Sequence, residues 1–181
     1  MSEVLAVVTC GFESREHLLL GHRNSVKSDG STVLPGGKAL EEFAENPVDT
    51  VQREVLEETN LLIPMTRTLL VAQFTLDRYC SDGSDMIEDE FMIDVFRVRL
   101  DATNDERSIN RIARTEELDP FWCPIDTIPY PQMPPDTQSW LPQVLDAQDG
   151  DLWMGMIEVS GTAHVSKIFQ LSSRFGTRTL F

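Results

Sequence analysis

The chain has 181 residues, of which 41% are hydrophobic, so it is long enough to form one globular domain with a sizeable core. Its 30 acidic and 15 basic residues give a formal net charge of −15, which argues against a protein that coats duplex nucleic acid or an anionic membrane. No apolar run approaches the length of a membrane-spanning helix, and three scattered cysteines, Cys10, Cys80 and Cys123, predict reduced thiols in a cytoplasmic protein.

The N-terminal part of the chain predicts two strands, near residues 3–10 and 16–23. Its first residues lack the basic leader of a signal peptide, so they are interpreted as the first strand. The segment Leu34-Pro35-Gly36-Gly37-Lys38 follows and predicts a glycine turn in which two backbone segments approach closely.

A short amphipathic helix is predicted over residues 47–59. Asn46 followed by Pro47 is typical of a helix N-cap with proline in the first turn. The apolar residues recur at i, i+3 and i+7 and predict one buried stripe; they are Val48, Val51 and Val55. The opposite face of this helix is therefore exposed or lines a site.

That opposite face is acidic. Glu54, Glu57 and Glu58 stand at i, i+3 and i+4, where each like-charge pair costs about 0.2–0.5 kcal/mol. The helix also ends directly after them, at Thr59-Asn60, which puts them at the negative end of its macrodipole. A solvated acidic face is the simpler alternative, but it does not explain the glycine turn or Arg53. The pattern favours a bound divalent cation, Mg²⁺ with Mn²⁺ as a substitute.

The middle of the chain predicts two further strands, near residues 68–79 and 91–100, the second a half-buried strand from its alternating pattern. Between them, residues 81–90 form a predicted acidic hairpin loop. Solubility is its expected role, and a lid or an additional metal ligand is the alternative. Residues 104–116 are polar and predict an exposed connection.

The C-terminal part predicts a strand that Phe121-Trp122 opens and Ile128-Pro129-Tyr130 ends. A helix is predicted over residues 137–147 and a late strand over 153–159. Residues 160–181 form either a closing strand or a tail. The expected fold class is α/β (α+β), a mixed sheet with helices on both faces.

One motif resembles the Nudix hydrolases. It consists of Gly37, Glu45 and then Arg53-Glu54-Val55-x-Glu57-Glu58-x-Asn60-Leu61. The spacing from Glu45 to Arg53 matches the family pattern, whereas the segment between Gly37 and Glu45 is two residues longer than usual. The closing glycine is Asn60, the next-best residue for a left-handed helix end.

The resemblance implies one Nudix domain over residues 1–181, with its motif near 37–61 and an α/β/α sandwich around a mixed sheet. It implies metal binding by five residues: Gly37, Glu54, Glu57, Glu58 and Glu117. It implies catalysis by the three helical glutamates together with Arg53, which braces a carboxylate, and Glu45. Arg23, Lys38 and Asp136 are the expected substrate-binding residues.

Later segments indicate a branch of this family. Glu117-Leu118-x-Pro120-x-Trp122, Met133-x-Pro135-Asp136 and Trp140-Leu141-Pro142 resemble the oxidised-purine nucleoside triphosphate (8-oxo-dGTP) diphosphatases. In that branch, Asp136 falls on an aspartate that contacts the purine edge. Three base-pocket positions depart from the branch, and they are Val33, Pro134 and Thr137.

Several structural alternatives remain open at this point. Asp136 is equally well explained as the N-cap of the following helix. Trp140 is better explained as a core residue than as a base-stacking one. His22 is expected at the surface, at the end of a strand.

The expected function is Mg²⁺-dependent hydrolysis of a purine nucleoside triphosphate, oxidised or not, to nucleoside monophosphate and pyrophosphate. The alternatives are another Nudix diphosphatase, acting on ADP-ribose, a dinucleoside polyphosphate or a capped RNA end, and a catalytically silent nucleotide sensor. The sensor is disfavoured because Arg53 and the three glutamates are intact. The expected partner is a small nucleotide, with no duplex nucleic acid and no membrane, and the chain is expected to be a monomer or homodimer.

Overall fold

The computed structural model describes residues 2–12, 14–24, 31–40, 44–79, 87–160 and 163–172. They form nine strands and three α-helices, in the order β1 (Ser2–Phe12), β2 (Arg15–Arg23), β3 (Thr32–Val33), β4 (Gly36–Lys38), α1 (Pro47–Thr59), β5 (Thr68–Tyr79), β6 (Ile87–Leu100), α2 (Glu106–Ile109), β7 (Leu118–Pro124), α3 (Thr137–Asp146), β8 (Asp151–Ser160) and β9 (Ala163–Ser172). None of the helices in these ranges is long and apolar enough to cross a membrane.

All the strands join one mixed sheet. Its order is β3-β2-β1-β6-β5-β8-β9, while β4 also pairs with β1 and β7 with β2. The pairs β1–β6 and β5–β8 are parallel, and the others are antiparallel. The predicted mixed sheet is therefore confirmed.

The two longer helices cover opposite faces of this sheet. Val51 and Val55 of α1 are fully buried against β1 and β6. Trp140 and Leu141 of α3 are buried in a second cluster on the other face. The predicted α/β/α sandwich is confirmed, and so is the prediction that Trp140, only 1% exposed, belongs to the core.

Strand β1 changes partner along one edge, and this change creates the space for a site. Its C-terminal end, from Thr9 to Phe12, pairs with β2. Its N-terminal end, from Glu3 to Leu5, pairs instead with the short strand β4. The glycine turn thus lies against the first residues of the chain. In this close approach Gly36 adopts a φ of 155°, and a Cβ there would overlap the carbonyl oxygen of Val4.

Two predicted segments differ from the structure. The strand predicted from Phe121 begins earlier, at Leu118, and ends at Pro124, because a short 3₁₀ turn over Ile125–Thr127 follows that proline. The predicted exposed connection over 104–116 contains the single-turn helix α2, whose Ile109 is buried in the α1-side core.

The strand predicted to be half-buried is buried on both faces. Residues 93–98 of β6 are all buried because β6 is a central strand with α1 on one side and α3 on the other. The C-terminal alternative is settled for residues 163–172, which form the closing strand β9. Residues 80–86 of the acidic segment and residues 173–181 lie outside the described residues, and 87–90 belong to β6.

Candidate functional site

Helix α1 begins and ends where its capping residues predict. The Asn46 side chain accepts hydrogen bonds from the backbone N–H groups of Val48 and Asp49, each at 3.0 Å. At the other end Asn60 adopts a left-handed conformation, φ 59°, and its N–H bonds to Leu56. The last turn contains no basic residue, so no side chain in that turn offsets the negative end of the macrodipole.

Arg53 organises the acidic face. Its guanidinium donates to both carboxylate oxygens of Glu45, at 2.9 and 3.0 Å, and to the Lys38 carbonyl oxygen at 2.9 Å. It also donates to Glu54 at 2.8 Å and to Glu57 at 2.9 Å. The prediction that Arg53 braces a carboxylate understates this geometry, since one guanidinium holds three carboxylates and the glycine turn together.

Glu45 is the most strongly stabilised of these carboxylates. Its hydrogen bonds from Arg53 lower the pKa of Glu45 to about 2, helped by donors from the Leu40 N–H and the Thr50 hydroxyl. The same contacts raise the pKa of Arg53. Glu45 therefore stays ionised at neutral pH and serves as an anchor for Arg53.

Glu58 and Glu54 are in the opposite situation. Glu58 is only 8% exposed and accepts one hydrogen bond from the Gly36 N–H at 2.8 Å. Burial raises the pKa of Glu58 to about 7, and the nearby charges of Glu54 and Glu117 add to the effect. Burial also raises the pKa of Glu54. At Glu54 burial outweighs the hydrogen bond from Arg53, and at Glu58 it outweighs the one from Gly36, so a bound cation would stabilise the ionised form of both carboxylates.

Gly37 fits closely against this cluster. A Cβ added at Gly37 would lie 2.5 Å from the carboxyl carbon of Glu54. Only a residue without a side chain leaves the Glu54 carboxylate where it is. The glycine turn is thus shaped to the acidic helix face.

The chemistry of the cluster fits a magnesium-type cation. Among the described residues no three acidic, His or Cys side chains converge at metal-binding distances, because Glu57 is turned toward Arg53 and Glu58 toward Gly36. The available donors are nevertheless all oxygens, which Mg²⁺ and Mn²⁺ prefer. The space that Gly37 leaves beside Glu54 and the burial of Glu54 and Glu58 also favour a cation at this place.

The helical glutamates face a cleft of about 710 Å³, called here the acidic cleft. Eight of the predicted site residues line it: Arg23, Gly37, Lys38, Arg53, Glu54, Glu57, Glu58 and Glu117. Glu117 directly precedes β7 and is held there because its carbonyl oxygen accepts the Asn24 N–H at 2.8 Å. The structure therefore brings together residues from α1, β4 and the start of β7.

A second cavity, of about 250 Å³, adjoins the cleft and is called here the apolar pocket. Its apolar lining is Leu5, Val33, Leu34, Leu76, Phe91, Ile93 and Pro134. Asp136 and Thr137 line it as well. The four residues that the resemblance places at a base pocket therefore lie in one cavity, and they are Val33, Pro134, Asp136 and Thr137. Arg23 and Lys38 line both the cleft and the pocket.

Asp136 occupies the N-cap position of α3, but its side chain does not cap the helix. It accepts no hydrogen bond from the first N–H groups of α3, so capping does not explain the carboxylate. It instead accepts the indole N–H of Trp140 at 3.2 Å, which orients the carboxylate from the core side. His22 is exposed, as predicted, and its ring stacks on Phe121.

Some lining residues could not be found from the sequence motifs. Glu3 lines both cavities, and Leu76 and Phe91 line the apolar pocket from β5 and β6. These positions lie far from the Nudix-like motif in the chain, and only the strand order brings them to it. Phe91 also lies under the Lys38 ammonium, 5.5 Å from the ring centroid.

Comparison of the structure with solved structures shows the same fold in three proteins. A MutT protein from Bacillus halodurans has a TM-score of 0.70 at 18% identity, with 92% of this chain and 96% of that chain covered. The NUDIX domain of Shewanella oneidensis NrtR, solved with ADP ribose, has a TM-score of 0.58 at 18% identity, with 81% of this chain and 86% of that chain covered. A NUDIX hydrolase from Nitrosomonas europaea has a TM-score of 0.55 at 18% identity, with 87% of this chain and 79% of that chain covered.

Comparison of the sequence gives the family. No curated protein matches the chain. The sequence profile of the NUDIX domain does match, over residues 3–144, a span that contains the glycine turn, α1 and the Arg53 contacts. This chain therefore belongs to the NUDIX domain family.

Proposed function

We infer that the chain is a Mg²⁺-dependent hydrolase of purine nucleoside triphosphates, oxidised or ordinary, that releases nucleoside monophosphate and pyrophosphate. One observation carries this proposal: the acidic cleft, in which the Glu54 and Glu58 side chains are largely buried beside Gly37, shares three lining side chains with the apolar pocket. A polyphosphate with its cation suits the cleft, and an aromatic base suits the pocket. The two compartments lie side by side, as the two halves of a nucleotide require.

The cation would be held by Glu54, Glu57, Glu58 and Glu117, together with the Gly37 carbonyl. When bound, magnesium supplies charge neutralisation of the phosphates and acidification of the attacking water. Arg53 keeps Glu54 and Glu57 in place, and Glu45 keeps Arg53 in place. Lys38 and Arg23, which line both cavities, bind phosphate oxygens through their positive charge.

In the reaction, water attacks the α or the β phosphorus and the bond from that phosphorus to the oxygen that bridges the two phosphates breaks, so that nucleoside monophosphate and pyrophosphate separate. One glutamate of the helical cluster accepts the water proton as general base. Glu54, Glu57 and Glu58 are all candidates for that role.

At the other end of the substrate, Asp136 accepts a hydrogen bond from the base edge. Its contact with Trp140 keeps the carboxylate oriented toward the apolar pocket. Val33, Pro134 and Thr137 give this pocket fewer hydrogen-bonding groups than the oxidised-purine branch, so its base preference should be broader.

The test is a side-by-side hydrolysis assay with Mg²⁺ and identification of the products. Its substrates are GTP, dGTP, their 8-oxo forms, ADP-ribose and a dinucleoside tetraphosphate. We expect the highest kcat/KM for a purine triphosphate, with pyrophosphate as a product. A higher value for ADP-ribose or the dinucleoside substrate would assign the chain to another diphosphatase branch. Binding of nucleotides without any hydrolysis would identify a sensor.

A further inference from the structure

Of the residues that the structure describes, three line both the acidic cleft and the apolar pocket: Glu3, Arg23 and Lys38. In any nucleoside phosphate the sugar lies between the base and the phosphates. If the proposed function holds and the two ends occupy the two cavities, the sugar must lie against this shared wall. Arg23 and Lys38 are cations suited to phosphate, whereas Glu3 is the one anion of the three.

The position of Glu3 in β1 places its side chain at this shared wall. Its neighbour Val4 is buried toward α1, so Glu3 and Leu5 face the opposite side of the sheet, where the apolar pocket lies. Lys38 is the cross-strand partner of Glu3 in β4. The Lys38 ammonium nevertheless lies over the Phe91 ring, at 5.5 Å from its centroid.

The Glu3 carboxylate has no other evident task. Within the ranges that the structure describes, no hydrogen bond or ion pair engages it. Glu3 is partly exposed at the wall of both cavities, so its oxygens are available to accept hydrogen bonds from a bound ligand. A cross-strand ion pair with Lys38 would be the simpler role for Glu3, but the Lys38 ammonium lies over the Phe91 ring instead.

The chemistry of a carboxylate restricts what it can bind here. Ionised carboxylates only accept hydrogen bonds, and they repel phosphate. A ribose presents two adjacent hydroxyl donors, and acidic residues bind that pair in dinucleotide sites. A 2′-deoxyribose presents only one. We propose that Glu3 binds the ribose hydroxyls and makes the chain selective for ribonucleotides over 2′-deoxyribonucleotides.

The experiment compares GTP with dGTP, and 8-oxo-GTP with 8-oxo-dGTP, in the wild-type chain, Glu3→Ala and Glu16→Ala. Glu16 is an exposed glutamate on β2 that lines neither cavity, so its variant controls for the loss of one charge. The readout is the ribo-to-deoxy ratio of kcat/KM for each base. In parallel, calorimetry gives the Kd ratio of GMP to dGMP.

We expect the wild type and Glu16→Ala to prefer the ribonucleotide by about tenfold, the effect of one charge-assisted hydrogen bond. In Glu3→Ala the ratio should fall close to one. Glu3→Gln, which keeps a single acceptor, should give an intermediate ratio and also serves if Glu3→Ala fails to fold. Equal ribo and deoxy values in the wild type, or a ratio unchanged by Glu3→Ala and Glu3→Gln, would overturn the proposal.

This outcome can be separated from the outcome for the proposed function. If no nucleotide is hydrolysed, the proposed function fails, and the GMP-to-dGMP binding ratio still decides the role of Glu3. If triphosphates are hydrolysed with equal ribo and deoxy efficiency, only the role of Glu3 fails.

Discussion

Gly36 and Gly37 are adjacent in β4, yet a methyl group at each would meet different atoms. At Gly37 it would meet the end of the Glu54 side chain, which can move aside. At Gly36 it would meet the backbone of Val4, which is paired in the sheet, and φ there is 155°. Gly36 therefore matters for stability, and Gly37 matters for the position of the Glu54 carboxylate.

Gly37→Ala should lower kcat/KM by about tenfold or more while the free energy of unfolding changes by less than about 1 kcal/mol. Gly36→Ala should lower the free energy of unfolding by about 1–3 kcal/mol because of strain and overlap. Denaturation and nucleotide hydrolysis, measured on both variants, check this contrast. Full activity in Gly37→Ala would show that the position of Glu54 does not matter.

Glu57 is the most exposed of the helical carboxylates, so its substitution should leave the fold intact. Glu57→Gln should reduce kcat/KM by about 10²–10³-fold, because one charge is lost from a site that stabilises phosphoryl transfer. The control is Glu106→Gln, an exposed glutamate on α2 outside both cavities. Near-normal hydrolysis by Glu57→Gln, with magnesium affinity unchanged, would refute the assignment.

Asp136→Ala separates base recognition from helix stability. Because the Asp136 side chain does not cap α3, the stability lost on its removal should come from the Trp140 hydrogen bond, about 1–3 kcal/mol, and not from a lost cap. The variant should have a higher KM and similar kcat/KM values for different bases, with a smaller effect on kcat. An unchanged ranking of purine substrates would leave Asp136 as a support for Trp140.

At the scale of elements, α1 shows what local sequence can predict. Its start at Asn46-Pro47, its end at Asn60 and its buried valines all follow from nearby residues, and the structure agrees. The hydrogen bond from the Gly36 N–H to Glu58 was not predictable in this way. It depends on β4 lying against β1, a pairing between segments that are distant in the chain.

A second inter-element contact predicts a pH effect. Arg67, just before β5, donates to both carboxylate oxygens of Asp105, just before α2, at 2.6 and 2.8 Å. These hydrogen bonds, first among several causes, lower the pKa of Asp105. A lowered folded-state pKa gives stability that is present above the unfolded value of about 3.9 and is lost as the pH falls through the folded value.

Asp105→Asn should therefore be less stable than the wild type at pH 7, by about 1–2 kcal/mol because Arg67 is partly exposed. The difference should shrink as the pH falls below about 4. Urea unfolding of both proteins from pH 7 to acidic pH measures it, with Asp119→Asn, an exposed aspartate on β7, as the control. A pH-independent difference would contradict the prediction.

At the scale of the whole molecule, the sequence predicted the layers better than the cavities. Alternation and capping indicated most strands and both longer helices, and the resemblance indicated the sandwich. The start of β7 lies three residues before the predicted one, and the strand includes Pro120 because, among the described residues, it pairs with β2 alone and an edge strand tolerates proline. Glu3 and Phe91 were missed because they reach the site only through the order of β1, β6 and β5.

The whole chain should respond to magnesium, because the acidic cleft adds local repulsion to a net charge of −15. Binding to the folded state alone stabilises it by about 2.7 kcal/mol at a free Mg²⁺ concentration of 100 times Kd. The thermal midpoint should rise by several degrees. NaCl at equal ionic strength controls for screening, and the double variant Glu54→Gln/Glu57→Gln should lose the extra shift. Equal shifts with NaCl and MgCl₂ would argue against a cation site.

The contacts on either side of the segment from Lys38 to Glu45 have a practical consequence. One end is tied down by pairing with β1, and the other by the paired hydrogen bonds between Glu45 and Arg53. Extra length between two such fixed points costs little loop-closure entropy and leaves both anchors in place. This accounts for the two residues by which the segment exceeds the family pattern, and we expect an epitope tag or fluorescent reporter spliced in there to leave the acidic cleft intact.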